Sequence, residues 1–358
     1  MEQKSVLIGM SGGVDSSVAA ALLKEQGYHV IGATMRLWTY SDSCNMKHEG
    51  CCAESAVEDA RRVCDKLGID FYVMNFKDMF KDKVVDYFVD EYIHGRTPNP
   101  CIACNKYLKF DALLKKALAM GIDYVATGHY AKIEKGEDGK YILRASEAVK
   151  KDQSYVLYNF TQEQLAHTLM PLGGYNKDWV RQKAEELGLG VAHKPDSQEI
   201  CFVEDDDYAK FITDYSGYKP KEGDILDVNG NVIGKHRGLI YYTIGQRKGI
   251  GAYGRPMFVM KIDAENNTIT LGEKGMEFSN ELTAYDVNFV SGEFPKKNML
   301  ITAKVRYQAP PAAAMLCPQK DGTVKLMFPE PQRAVTPGQA VVFYDGDIVL
   351  GGGTVLQE

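Results

Sequence analysis

The sequence predicts an α/β N-terminal domain, doubly wound around a mostly parallel sheet, followed by two smaller, mostly β domains. Three observations predict it. From Lys4 to about Phe160, short β-rich runs alternate with helical periodicity, the pattern of a parallel sheet wound with helices. Beyond roughly residue 215, Gly-rich turns and short strands replace helices. The chain of 358 residues is also longer than one core usually serves. We expect domains at 1–210, 211–280 and 281–358, the middle one binding nucleic acid.

Taken in order, the strand candidates are Ser5 to Met10, His29 to Met35, Phe71 to Phe76 and Tyr124 to Gly128. Ala56, Val57, Ala60, Val63, Cys64 and Leu67 recur at helical spacing, and Gly68 supplies a stop. Pro98 and Pro100 are expected to hold an extended loop in front of a helix running from Tyr107 to Met120. In a doubly wound sheet, ligands bind at the carboxyl ends of the strands. Farther on, Asn229-Gly230, Asp321-Gly322 and Asp345-Gly346 each separate β-rich runs, and such dipeptides favour tight hairpins.

With 45% hydrophobic and 25% charged residues, the composition is that of an ordinary globular protein. No run approaches the ~18 apolar residues of a membrane span, and Met1 to Lys4 leads into a strand without the order of a signal peptide. A cytoplasmic protein with no membrane partner is expected. The net charge of -6 argues globally against nucleic acid. From Lys235 to Lys261, however, six basic residues (Lys235, Arg237, Arg247, Lys248, Arg255, Lys261) and no acidic one are interleaved with Tyr241, Tyr242, Tyr253 and Phe258. Such a stretch either neutralises phosphates and stacks unpaired bases, or is a solvated β surface with ordinary core aromatics.

Directly after the first strand comes Ser11-Gly12-Gly13-Val14-Asp15-Ser16-Ser17, which opens a helix through Ala19, Ala20, Leu22 and Leu23. Glycines permit a tight turn and close approach, while helix-start N–H groups and the serine hydroxyls can hold phosphate oxygens. This is an anion cradle. It lacks the Gly-Lys-Ser/Thr ending that places a lysine on terminal phosphates, and it lacks the three-glycine spacing of dinucleotide binders. An isolated glycine pair would be no more than a capped turn. The full Ser-Gly-Gly-x-Asp-Ser pattern in a strand-loop-helix context resembles the pyrophosphate loop of the N-type ATP pyrophosphatases, which cleave ATP to AMP and pyrophosphate in order to adenylate a substrate.

The eight cysteines lie at 44, 51, 52, 64, 101, 104, 201 and 317, too sparse for a disulfide scaffold and more typical of metal ligands or reactive thiols. Cys104, close to a helix N-terminus, is a candidate reactive thiol because the dipole favours thiolate. Cys201 follows a polar turn within Asp196-Ser197-Gln198-Glu199-Ile200-Cys201-Phe202. A closed zinc site wants four ligands, and no second Cys-x-x-Cys pair exists. Cys44, His48, Cys51 and Cys52 offer another cluster, although adjacent cysteines chelate poorly. Cys64 falls on an apolar helix face, and Cys317 lies in a β segment with no role assigned.

An adenylating loop and two separated thiols suggest sulfur chemistry, since ATP turns a carbonyl oxygen into a leaving group that a sulfur nucleophile can displace. The sequence resembles the bacterial tRNA-specific 2-thiouridylases nearly end to end. The likeness runs through Gly-Met-Ser-Gly-Gly-Val-Asp-Ser-Ser at 9–17, Asn-Pro-x-x-x-Cys-Asn at 99–105, Thr-Gly-His-Tyr at 127–130, Lys-Asp-Gln-Ser-Tyr at 151–155, Asp-Ser-x-x-Ile-Cys-Phe at 196–202 and Val-Arg-Tyr at 305–307.

That resemblance implies a first domain of the PP-loop ATPase type and a final domain closed into a β-barrel. It implies ATP with magnesium, held by Gly9, Met10, Ser11, Gly12, Gly13, Val14, Asp15 and Ser16, with Met35 on adenine and Gly128 completing the pocket. Cys201 would carry a persulfide received from a cysteine desulfurase or a sulfur-relay protein. Cys104 would be the nucleophile that releases the sulfur, forming a disulfide, and the wobble uridine of the tRNA anticodon arm would accept it at its 2-position. Asn99, Pro100 and Cys101 would face the target base, and His129, Lys151, Asp152, Gln153, Arg306, Tyr307 and Gln339 would touch the tRNA. Many relatives carry Asp where this chain has Cys101, and a thiol does not inherit the acid-base role of a carboxylate. Cys101, Cys104 and Cys201 as ligands of an iron-sulfur cluster are therefore a second mechanism. An adenylating ligase or amidotransferase, and a non-catalytic RNA-binding or metal-stabilised module, are the rival readings. The first lacks an amine site or a glutaminase partner, and the second leaves the cradle and thiols unexplained.

Overall fold

A computed structural model describes residues 3–38, 54–195, 200–203 and 206–357. Its first layer is a five-stranded parallel sheet. β1 (Ser5–Gly9) sits centrally between β2 (His29–Arg36) and β4 (Tyr124–Ala126), with β3 (Asp70–Asn75) outside β2 and a two-residue strand, Thr168–Leu169, outside β4. Val6, Leu7 and Ile8 are all fully buried, as a central parallel strand covered on both faces requires. Successive strand residues point to opposite faces. Leu7 joins one apolar cluster with Ala33, Phe80, Phe88, Leu108 and Phe202, while Val6 and Ile8 join another with Val18, Leu22, Ala60 and Cys64. The order of strands and helices is the doubly wound arrangement expected from the sequence.

α1 (Val14–Glu25) and α2 (Glu54–Leu67) return the chain from β1 and β2. Gly68, with φ of 62°, ends α2, because a left-handed residue is where a helix stops and glycine adopts it without strain. The helix expected from Tyr107 instead starts at Pro100 and runs over 100–119, with wider π-type turns at Cys104–Ala112. Proline at the first helical position loses no hydrogen bond there, and the Asn99 carboxamide accepts from the Cys101 N–H at 3.1 Å as the cap. Pro100 thus begins the helix rather than extending the loop before it.

The middle segment is a four-stranded sheet in the order Met257–Asp263, Thr268–Glu273, Gly223–Leu226, Val232–His236. The last segment closes six strands into a barrel, in the order Phe278–Phe289, Val324–Arg333, Ala312–Pro318, Met299–Lys304, Ala340–Asp345, Ile348–Val355, the last pairing back onto the first. Gly230, Gly322 and Gly346 all take positive φ in the turns that the Asn-Gly and Asp-Gly pairs mark. A hairpin of the first segment, Ala131–Lys135 with Tyr141–Ala145, leans on the outside of this barrel through Arg144 opposite Ile348. A shared core binds the two. Ile102, Phe110, Leu143, Tyr155 and Leu157 pack in one cluster with Val290, Ala340, Val342, Tyr344 and Val349. No described helix is long and apolar enough to cross a membrane.

Candidate active site

The cradle forms where β1 runs into α1. Gly12 has φ of +70°, and a Cβ there would lie 2.2 Å from the Ala56 carbonyl oxygen, so both backbone shape and space demand glycine. Gly13 caps α1 in an extended conformation with no side-chain hydrogen bond, which leaves the first-turn donors without a side-chain acceptor. Ser11 and Ser16 place their hydroxyls 3.2 Å apart, and Ser17 donates to the Gly13 carbonyl at 2.8 Å. Gly128 lies against the same turn, where a Cβ would approach the Ser16 nitrogen to 2.7 Å. Gly9, Ser11, Gly12, Gly13, Asp15, Ser16 and Gly128 are therefore gathered around one loop. The Met10 and Val14 side chains are buried in the core, so only their backbone belongs to the cradle.

Asp15 is already engaged. Lys177 Nζ donates to its two carboxylate oxygens at 2.7 and 2.8 Å, and the Tyr130 hydroxyl donates at 2.7 Å. Among the described residues no three His, Cys, Asp or Glu side chains form a group able to hold a metal ion, Cys101, Cys104 and Cys201 included. Lys177 and a second lysine, Lys194, were invisible to motif reading. They arrive from 162 and 182 residues away in sequence, with no local pattern to announce them.

The thiols are held differently. Cys101 is exposed in the first turn of the 100–119 helix, whereas Cys104, one turn on, faces inward and is 8% exposed. Cys104 belongs to the apolar cluster against which Cys201 and Met35 also pack. Phe202 anchors Cys201 to it, meeting Phe80 and Phe88 edge-on at centroid distances of 5.6 and 5.3 Å. Cys64 is fully buried, and burial, reinforced by Asp65, pushes its thiol up to about 12, as suits a core residue. Cys317 is half-buried in a barrel strand. Cys44, His48, Cys51 and Cys52 lie outside the described residues.

The residues expected to touch tRNA surround the junction of barrel and helix start. Gln339 donates to the Thr97 carbonyl at 2.8 Å, and the Thr97 N–H donates to the Pro337 carbonyl at 2.9 Å, so a barrel loop holds the backbone just before Asn99. The Tyr307 hydroxyl donates to the Asp152 carbonyl and Arg306 to the Arg333 carbonyl, both at 3.1 Å. The Asp152 carboxylate accepts from the Ser146 and Ser154 N–H groups, and Gln153 and Tyr130 bond each other reciprocally; these two side chains shape their loop instead of projecting from it. Lys151 is half-buried at the end of a short turn. His129 accepts or donates at 2.8 Å to Thr127, and burial, aided by Lys109, holds its imidazole well below the ordinary range.

The basic stretch is less basic in space than in sequence. Strand pairing sets Asp224 2.6 Å from Lys235 and Glu273 2.6 Å from Arg255, with Asp263 3.9 Å from Lys261. Arg237 lies over the Tyr241 ring at 4.0 Å, while Tyr242 and Phe258 are buried and offer no face to a base. Arg247 and Lys248 remain exposed, and Arg247, Tyr253 and Arg255 help line a concavity of about 360 Å³.

The chain matches three family models, described as the tRNA methyl transferase HUP domain over residues 4–205, the tRNA methyl transferase PRC-barrel domain over 209–273 and the aminomethyltransferase beta-barrel domain over 279–355. It is 59% identical to the tRNA-specific 2-thiouridylase MnmA of Acetivibrio thermocellus over 358 residues, covering 99% of this chain and 100% of that one. To the protein of the same description from Clostridioides difficile it is 58% identical over 354 residues, 98% of each chain. Similarity of this extent, running through all three segments, means that the chain belongs to the tRNA-specific 2-thiouridylase family.

Proposed function

We propose that this enzyme 2-thiolates the wobble uridine of a tRNA anticodon, using ATP to adenylate the uridine 2-oxygen and a cysteine persulfide to supply sulfur. The uridine 2-oxygen attacks the α-phosphate, the N3 proton is lost and pyrophosphate leaves. The terminal sulfur of a Cys201 persulfide then attacks C2. Cys104 thiolate attacks the Cys201 sulfur, the C2–S bond keeps the transferred atom, AMP departs, and Cys104 and Cys201 are left as a disulfide that a thiol reductant reopens. A cysteine desulfurase or sulfur-relay protein loads Cys201, and magnesium enters with the nucleotide. A cytoplasmic location is part of this reading.

The observation that carries this reading is that Cys104, Cys201 and Met35 all pack in or against one apolar cluster, in a domain whose β1–α1 turn is a glycine-rich anion cradle. Two family descriptions speak of methyl transfer, but an anion cradle together with Cys104 and Cys201 suits adenylation followed by sulfur transfer. Drawing the base out of its stack costs a few kcal/mol, which contacts around the barrel junction and the exposed Arg247 and Lys248 offset. The test is single-turnover reaction of persulfide-loaded protein, purified without air, with ATP and tRNA. Thiouridine, AMP and pyrophosphate in equal amounts, from protein free of iron and acid-labile sulfide, are expected. Thiolation that requires iron, or pyrophosphate release that ignores tRNA, would overturn it.

A further inference from the structure

The cradle carries no lysine of its own, yet adenylation drives negative charge onto a departing pyrophosphate, and donors already in place are what stabilise such charge. Two cations reach the loop by hydrogen bonds among the described residues. Lys177 is taken up by both oxygens of Asp15. Lys194 differs. Its Nζ donates to the Gly12 carbonyl at 3.1 Å and to Asp59 Oδ2 at 2.9 Å, and with its side chain 32% exposed it lies at the mouth of the loop. An ammonium has three donors, and these two bonds leave one to face a ligand.

The placement of Lys194 is enforced from behind. Arg181 Nη1 donates to the carbonyls of Ala192 at 3.0 Å and Lys194 at 3.4 Å, fixing the backbone of this segment on the helix Lys177–Glu186. Asp59 stands on α2, whose Ala56 carbonyl is the atom that forces glycine at position 12. One segment, 177–194, therefore delivers a cation to each end of the loop.

We propose that Lys194 is a phosphate-binding residue that grips the pyrophosphate portion of ATP and steadies it as it leaves, a role resting on the ATP-dependent adenylation assigned above. In the nucleotide-free protein, Asp59 holds the ammonium in place as a stand-in acid. When ATP arrives, its phosphates take the unused donor and draw the ammonium away from Asp59.

The test measures tRNA-dependent pyrophosphate release against ATP concentration in the full-length protein. Lys194→Gln is expected to lower kcat/KM for ATP about a hundredfold, the scale for loss of one oxyanion-type donor, and to weaken competitive inhibition by inorganic pyrophosphate, while tRNA affinity stays unchanged. Lys194→Arg restores most of the loss. Asp59→Asn keeps the ammonium and leaves a carboxamide oxygen to accept from it, so it is expected to lower kcat/KM for ATP far less than Lys194→Gln does. If Lys194→Gln matches the parent, or if Asp59→Asn is as damaging as Lys194→Gln, the lysine merely ties the loop to α2 and the proposal fails. Absence of tRNA-dependent pyrophosphate from the parent protein would instead overturn the adenylation reading. Circular dichroism and thermal melting of each variant separate misfolding from loss of the contact.

Discussion

Two helix starts in the first domain face similar tasks and solve them in opposite ways. α1 begins at Gly13, in extended conformation and with no side-chain cap, so its first-turn donors are left for an anion. The 100–119 helix begins at Asn99, also extended, but there the side chain satisfies the Cys101 N–H and Pro100 occupies the position where a donor would be wasted. An uncapped start leaves more of its N–H groups for an anion than a capped one does. The second start spends its cap on its own backbone and spaces thiols, with Cys101 outward and Cys104 inward.

The largest expected effect separates the two starts outright. Cys104→Ser or Cys201→Ser is expected to reduce thiouridine formation by at least about a thousandfold, while one round of tRNA-dependent pyrophosphate release survives, measured on the same samples by nucleoside chromatography and phosphate assay. Loss of both activities would mean that cradle and thiols do not act separately. Next, Gly12→Ala costs about 1–2 kcal/mol for the left-handed backbone alone, before the clash with Ala56. Thermal unfolding with and without ATP is expected to show both a lower midpoint and no ATP-dependent rise.

A thiol kept in the core provides the contrast to those that are presented. Burial pushes the folded Cys64 thiol up to about 12, well above the ordinary thiol range. The folded state keeps a proton that the unfolded chain has lost, so this group's stability is intact below pH 9 and declines as pH rises toward 12, by about 1.4 kcal/mol per unit. Urea unfolding at pH 8, 9 and 10 is expected to show a shallower decline for Cys64→Ala than for the parent, and parallel declines would refute the assignment. The smallest effect is at the second start, where Asn99→Ala removes the cap for about 1 kcal/mol and Asn99→Asp retains it, as read from denaturation midpoints.

The sequence was most legible where function is local. β1, the loop and α1 are contiguous, and the periodicity of β2, α2 and β3 is strong enough to place each within a few residues. Thr168–Leu169 escaped because two residues carry no period. Pro100 misled because the same residue that forbids a helix interior is welcome at its first position. The basic stretch was legible only in part: charge along a chain says nothing of the acids that folding brings alongside, and Asp224 and Glu273 both come from neighbouring strands. Lys177, Lys194 and the Gln339 clamp on Thr97 depend on contacts across more than 150 residues, which no local pattern encodes.

The hairpin Ala131–Lys135 with Tyr141–Ala145, and the core it shares with the barrel, bear on how such a chain can be cut or recombined. A fragment ending near residue 280 would leave Phe110, Leu143 and Tyr155 facing water where Val342, Tyr344 and Val349 now cover them. Grafting this barrel onto another adenylating domain would fail unless the hairpin travelled with it. The first and last segments, separate along the chain, are joined in this molecule by one core.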